Sequence, residues 1–317
     1  MEIPDFSDVV KAHDLIGNSV HRTPVMTCGS IDQMTGAQLF FKCENFQKVG
    51  AFKFRGACNA VFSLTVEEAE RGVATHSSGN HAAALALAAR MRGIPAFIVM
   101  PENAPSIKKQ AVAGYGGKIT FCKPTLQARE QTLARVAAFA GATEIHPYDN
   151  FRVIAGQGTA VKELIEETGE LDIVMTPVGG GGLLSGSALS AKALLPRCRV
   201  IAAEPAGADD AYRSFRAHTL LPSENPRTIA DGLLTSLGKR NFRIILRDVD
   251  DIVTVTEENI IKAMRMIWER MKIIIEPSSA VPLAAVLEHP SLFEGTRTGI
   301  VLSGGNLDLS RLPFKDF

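Results

Sequence analysis

The sequence has no surplus of either charge: 34 Lys and Arg stand against 34 Asp and Glu over 317 residues. That excludes the basic footprint of a nucleic-acid or anionic-membrane binder. No apolar run reaches the ~18 residues that a membrane span needs. The five cysteines, Cys28, Cys43, Cys58, Cys122 and Cys198, are odd in number, scattered and free of any CxxC pair. They argue against a disulfide framework or a zinc site and suit a reducing cytosol. The acidic start, Met1-Glu2-Ile3-Pro4-Asp5, lacks a basic segment followed by an apolar core, so no signal peptide is expected and a cytoplasmic location is. Tandem repeats and low-complexity stretches are missing too, and no regulatory domain is expected after Asn306.

What is present is a globular composition, 46% hydrophobic and 21% charged, in a chain long enough for about two domains. Strand-like runs alternate with helix-like ones. Leu39–Glu44, Val73–Thr75, Ala96–Met100, Ile119–Cys122, Ile173–Thr176, Arg199–Ala203 and Gly299–Leu302 read as strands. Between them lie helical stretches, among them Ala82–Met91, Glu130–Ala142, Ala160–Thr168, Leu183–Leu194 and a helix capped by Thr256. Ser7-Asp8 reads as the cap of a first helix, a helix follows Gly56, and Thr65–Arg71 reads as a charged connection. This alternation predicts an α/β fold with mainly parallel strands joined by right-handed crossovers. Residues 72–142 form a compact run of strand–helix units. They are expected to be a small mobile domain inserted into a large one made of 1–71 and 143–317.

The chain is organised around Gly50-Ala51-Phe52-Lys53-Phe54-Arg55-Gly56. Lys53 stands in an apolar context, where burial disfavours the ammonium and lowers its pKa. A neutral lysine amine is a nucleophile towards aldehydes. The heptapeptide alone suits equally a lysine that snorkels to water. A second signal is Pro177-Val178-Gly179-Gly180-Gly181-Gly182 before a helix. Consecutive bare N–H groups at a helix N-terminus cradle an anion, and a tight turn alone needs only one or two glycines. The dinucleotide pattern GxGxxG fails, because Leu183 occupies a required glycine position. The P-loop pattern fails for want of a lysine after Gly186. One phosphate cradle with one apolar lysine points to a phosphorylated aldehyde cofactor, of which pyridoxal phosphate (PLP) is the obvious candidate.

These features, with KCENFQKVGAFKFRG (Lys42–Gly56), HSSGNH (His76–His81), AGQGT (Ala155–Thr159), AAEPAGADD (Ala202–Asp210), IADG (Ile229–Gly232) and LSGGN (Leu302–Asn306), resemble one family. It is the fold-type II, tryptophan-synthase-β-like PLP enzymes that include serine/threonine dehydratases and serine racemases. The resemblance implies that Lys53 carries the cofactor and that Phe52 packs beside its ring. It implies that Asn80 meets the ring hydroxyl, that Gly179, Gly180, Gly181, Gly182 and Leu183 bind the phosphate, and that Ser303 meets the pyridine nitrogen. A hydroxyl there makes the ring a milder electron sink and favours β-elimination over transamination. Ser77, Ser78, Asn80 and His81 would grip the substrate, with Ser236 bordering it. Ser78 would supply the second acid/base face that racemisation requires. Glu204, Ala208 and Asp210 match a divalent-cation site for Mg²⁺, Ca²⁺ or Mn²⁺. Arg129 stands where a family arginine approaches a dicarboxylate.

The expected activity is ammonia-lyase chemistry on L-serine or L-threonine, with racemisation as a second activity. Threo-3-hydroxyaspartate is the alternative substrate, β-replacement is less favoured, and a non-catalytic phosphate-binding protein is the rival from another class. A homodimer is expected by resemblance. ATP binding stays open: Arg270, Lys272 and Asn306 are retained, but Cys28-Gly29 and Tyr148 depart from the animal racemases.

Overall fold

The computed structural model describes residues 1–314. Among these, ten strands build two sheets: β1 (Val25–Met26), β2 (Gln38–Cys43), β3 (Val73–His76), β4 (Ala96–Pro101), β5 (Lys118–Cys122), β6 (Thr143–Glu144), β7 (Ile173–Pro177), β8 (Arg199–Pro205), β9 (Asp251–Val255) and β10 (Arg297–Leu302). The larger sheet has the order β1-β2-β10-β7-β8-β9 and the smaller one β5-β4-β3-β6. Every pairing is parallel except β1 with β2. Strands buried on both faces carry apolar residues without alternation, and β7 is buried along its whole length.

The two faces of the large sheet feed different cores. Ile173, Met175, Ile201, Ile300 and Leu302 pack with Ile260, Met264, Leu283 and Ala284 of the helices Glu257–Met266 and Pro277–Glu288. The intervening Val174, Val200, Ala202 and Val301 point the other way, onto Val161, Leu164, Leu184 and Ala188 of the helices Phe151–Thr168 and Gly182–Leu194. The period of two in a strand produces this division. In the small sheet, Val73, Ile98 and Met100 share a core with the alanine-rich helix Asn80–Arg92. That core also holds Phe54, Ala57 and Val61 of the helix Lys53–Phe62, which thereby joins the two sheets.

Several local expectations shift. The first helix is capped by Asp5, not at Ser7-Asp8: Asp5 accepts the N–H of Ser7 and Asp8, and Asp8 returns a bond to the Asp5 N–H. Thr65–Arg71 contains a helix, Val66–Arg71, because Thr65 and Glu68 form the same reciprocal cap. The helix after the lysine turn starts at Lys53 itself rather than beyond Gly56. Strands β6 and β9 and the helix Lys239–Asp248 are additions to the sequence reading. No helix among the described residues is long and apolar enough to cross a membrane.

Candidate active site

The C-terminal ends of parallel strands in an open α/β sheet are where ligands bind. Here β2 leads into the lysine turn, β3 into His76–His81, β7 into the glycine loop and β10 into Ser303–Asn306. The lysine turn is left-handed at two successive residues, Val49 (φ 57°) and Gly50 (φ 68°). A β-branched residue in that region is strained. The strain is held by the Asn306 amide, which donates to the Val49 carbonyl at 2.7 Å. Ala51 then bridges to Gly304, and the Phe52 N–H donates to the Ser303 carbonyl at 3.0 Å. The lysine is thus fixed to the end of β10.

Lys53 opens its helix with Nζ donating to the Pro147 carbonyl at 2.9 Å. The amine lies 5.2 Å from the Phe52 ring centre and 5.9 Å from that of Tyr148. The residue is half-buried, and its amine is densely surrounded by protein atoms. That desolvation lowers its pKa to about 8, partly opposed by the Glu276 carboxylate. Two residues on, Arg55 is buried in a charged cluster. It donates to Glu44 at 2.7 and 2.8 Å and to Glu163 at 2.7 and 2.8 Å, and Lys42 donates to Glu163 at 2.7 Å. None of these side chains is more than 3% exposed.

The four glycines lie between β7 and the helix Gly182–Leu194, with Gly181 left-handed at φ 90°. A Cβ on Gly180 would come within 2.3 Å of the Tyr148 ring, so only bare backbone fits there. The Asn241 amide holds the loop by donating to the Gly180 carbonyl at 2.7 Å. Leu183 is buried in the first turn of the following helix. Lys53 and the glycine loop therefore both stand next to Tyr148.

Asn80 sits at the N-terminus of its helix and donates to both Glu276 oxygens, at 3.1 and 3.2 Å. Its own oxygen accepts from Asn306 at 3.0 Å. Burial raises the Glu276 carboxyl to about 7. Ser303 is buried with its hydroxyl 3.1 Å from that of Ser279, which also binds the Gly304 carbonyl and N–H at 2.6 and 2.7 Å. Glu276 and Ser279 escaped the sequence reading. The one available signal was Glu276-Pro277-Ser278-Ser279, a helix start at the C-terminal side of the amphipathic helix.

In the turn after β3, Ser77 and Ser78 are half-buried. The Ser77 hydroxyl accepts the Gly79 N–H at 3.3 Å, while that of Ser78 has no hydrogen-bond partner among the described residues. His81 is 2% exposed. Its Nε2 meets the Ile145 carbonyl at 3.3 Å, and burial holds the imidazole neutral. The Arg129 Nε is buried without a partner and the side chain makes no ion pair among the described residues. The Ser236 hydroxyl accepts the Ser223 N–H at 2.9 Å, and its own proton remains available to donate.

Among the described residues no group of three or more His, Cys, Asp or Glu side chains could hold a metal. Glu204 and Asp210 are two buried carboxyls, with pKa values raised by burial to about 9 and about 6. Glu204 accepts the Ala211 and Tyr212 N–H groups at 3.0 and 2.8 Å, capping the helix Asp210–Ala217. The Asp210 Oδ1 is buried and unpartnered. Ala208, the third member of the expected set, is buried between them in sequence. Beside the site, a cavity of about 490 Å³ is lined by Asn80, Lys108, Tyr115, Asp231 and Asn306. Of Arg270, Lys272 and Asn306, the residues on which an ATP site is expected, Asn306 lines it and Arg270 and Lys272 do not.

A buried amine of reduced basicity, one side chain away from a loop that accepts only bare backbone, is equipped to hold a carbonyl compound that also carries a phosphate. The fold and site thus define an α/β enzyme built around a phosphorylated aldehyde cofactor. The chain belongs to the pyridoxal-phosphate-dependent enzymes: the family profile "Pyridoxal-phosphate dependent enzyme" matches residues 16–304. It is similar to the beta-hydroxyaspartate dehydratase of Paracoccus denitrificans, 51% identical over 99% of this chain and 100% of that protein. It is also similar to the L-threo-3-hydroxyaspartate ammonia-lyase of Saccharomyces cerevisiae, 47% identical over 98% of this chain and 96% of that one. Among solved structures it resembles the serine racemase of Dictyostelium discoideum, with 51% identity, a TM-score of 0.93 and coverage of 96% and 99%. The architecture is the two-domain fold type II, and the protein is a PLP-dependent enzyme of the lyase and racemase class.

Proposed function

We propose that this enzyme is an ammonia-lyase that converts threo-3-hydroxyaspartate into a 2-oxo acid and ammonia. The observation that carries this reading is Arg129, whose buried Nε has no partner within the chain. A guanidinium is the side chain of choice for a carboxylate, and a β-carboxylate is what 3-hydroxyaspartate adds to serine. The Paracoccus relative, named for beta-hydroxyaspartate, and the Saccharomyces relative, named for L-threo-3-hydroxyaspartate, support a β-hydroxy dicarboxylate as substrate.

The residues divide the work as follows. Lys53, with Phe52, Asn80, Ser303 and the bare N–H groups of Gly179–Leu183, holds the cofactor. Bound PLP supplies the electron sink that lets a Cα proton and then a β-substituent leave. The polar turn at Ser77, Ser78, Asn80 and His81 binds the α-carboxylate at a helix N-terminus. The Lys53 amine takes the proton from Cα, a task suited to a base whose pKa is near the working pH. Arg129 orients the distal carboxylate. Glu204, Asp210 and the Ala208 carbonyl fit a divalent cation by donor type, hard oxygens with one carboxylate oxygen free. The expected mobile unit, residues 72–142, moves over the substrate together with β6, which pairs with β3 in its sheet, and the Lys108–Asp231 ion pair at 2.7 Å ties that unit to the rest of the chain beside the cavity.

The test is a panel of threo-3-hydroxyaspartate, L-serine and L-threonine, with chiral analysis of residual substrate. The enzyme should prefer the dicarboxylate. Arg129→Ala should lower the ratio of kcat/KM for 3-hydroxyaspartate to that for serine by roughly 10- to 100-fold, the worth of a charge-assisted hydrogen bond. Wild-type enzyme that turns over serine as well as or better than the dicarboxylate would sink the proposal. In that case serine dehydration with racemisation is the reading that remains. The unpartnered Ser78 hydroxyl and the Dictyostelium relative favour it.

A further inference from the structure

Beside the catalytic lysine, between Ile145 and Tyr148, lies a histidine to which neither the motifs nor the proposed mechanism gives a role. His146 Nδ1 accepts the Asp149 N–H at 2.9 Å and the Tyr148 N–H at 3.4 Å. A nitrogen that accepts a backbone N–H carries no proton of its own, so the ring proton resides on Nε2. The tautomer is therefore fixed by the backbone, and the opposite edge of the ring is a donor. That donor has no hydrogen-bond partner among the described residues.

The ring stands within the site. It meets Tyr148 edge-on at 4.6 Å and His76, the last residue of β3, at 6.2 Å. The next residue, Pro147, offers the carbonyl to which Lys53 Nζ donates. The three rings form a row from the glycine loop to the end of β3. The Arg129 charge acts on both ends of this row, adding to burial in lowering the pKa of His76 and opposing the burial-driven rise of Tyr148. Burial keeps His146 itself neutral, with a pKa lowered to about 4.

We propose that His146 is a specificity-determining residue whose Nε2–H, oriented by the Asp149 N–H, donates to the distal carboxylate of the substrate alongside Arg129. The donor is neutral, so it adds a directional hydrogen bond without adding charge repulsion against Arg129. Two donors on one carboxylate fix the rotation about the Cα–Cβ bond, which a single guanidinium contact leaves free. This inference rests on the 3-hydroxyaspartate reading, and its test separates the two.

The experiment compares wild-type holoenzyme with His146→Asn, His146→Gln and Arg129→Ala. Asparagine keeps an acceptor near the position of Nδ1 and loses the far donor. Glutamine places an amide N–H near the position of Nε2. The expected result is a fall of about 10-fold, in His146→Asn, in the ratio of kcat/KM for 3-hydroxyaspartate to that for serine, with His146→Gln recovering most of it. Succinate has both carboxylates and no amino group, and is therefore bound without turnover. By calorimetry it should bind His146→Asn about 10-fold more weakly than wild type. In the unsubstituted enzyme, the ¹⁵N resonance of His146 Nε2 should shift on adding succinate, which reads the contact even if a variant fails to fold. If the dicarboxylate preference is present and collapses in Arg129→Ala but is unchanged in His146→Asn, this inference fails and the substrate reading stands. Equal losses on serine and 3-hydroxyaspartate, or an unmoved Nε2 resonance, also overturn it. A wild-type enzyme with no preference for the dicarboxylate removes both.

Discussion

Titration of the Lys53 amine in enzyme stripped of its cofactor gives the most direct check on the chemistry. Burial lowers this amine to about 8, with the Glu276 carboxylate pulling the other way. At pH 8 about half of it is neutral, whereas a lysine with the ordinary pKa of 10.5 is about 0.3% neutral. The difference is roughly two orders of magnitude in reactive amine. Trapping with a small aldehyde and borohydride, followed by peptide mass analysis, should label Lys53 far ahead of the surface lysines at pH 8. Its labelling rate should rise with a midpoint near pH 8. Glu276→Gln removes the opposing carboxylate and should move the midpoint lower. The linkage has a definite sign. The folded pKa lies below that of a free lysine, so the unfolded chain binds more protons between about pH 8 and 10.5. This group therefore adds stability as pH rises through that window. A midpoint near 10.5, or labelling no faster than that of exposed lysines, would refute the placement of Lys53 as a desolvated nucleophile.

Other perturbations follow from the same geometry. Gly180→Ala puts a methyl group within 2.3 Å of the Tyr148 ring and should abolish the yellow colour of the holoenzyme, read as lost absorbance above 400 nm; a normal spectrum would contradict the cradle. Arg55→Met strands Glu44 and Glu163 without their shared partner and should cost about 3–5 kcal/mol in denaturant unfolding. Replacing Arg55, Glu44, Glu163 and Lys42 together by apolar residues of similar volume should recover much of that loss. Chelation should lower the thermal midpoint, with Mg²⁺ restoring it, if Glu204 and Asp210 hold a cation; indifference to chelator would remove the metal.

The parts that were legible in sequence are those whose physics is local. Four consecutive glycines expose backbone N–H groups whatever surrounds them, and an amine between Phe52 and Phe54 has little polar company in any fold. Alternating apolar runs announced the parallel sheets for the same reason, since strand and helix periods are properties of the backbone. The caps at Asp5 and Thr65 are local as well, yet Ser7-Asp8 offers a rival cap just inside the first helix, and the six-residue helix after Thr65 has little apolar periodicity to reveal it.

The site was settled by contacts that no window of sequence contains. Lys53 donates to Pro147, Asn80 to Glu276, and Ser303 lies against Ser279; each pair joins residues far apart in the chain. The desolvation of Lys53, the raised pKa of Glu276 and the fixed tautomer of His146 all depend on which groups the fold packs around them. Sequence therefore determined the kinds of group available and the cofactor they suit. Tertiary structure decided which of them are dry, which are paired, and which, Arg129 Nε and His146 Nε2 among them, are left with a hydrogen bond still to make.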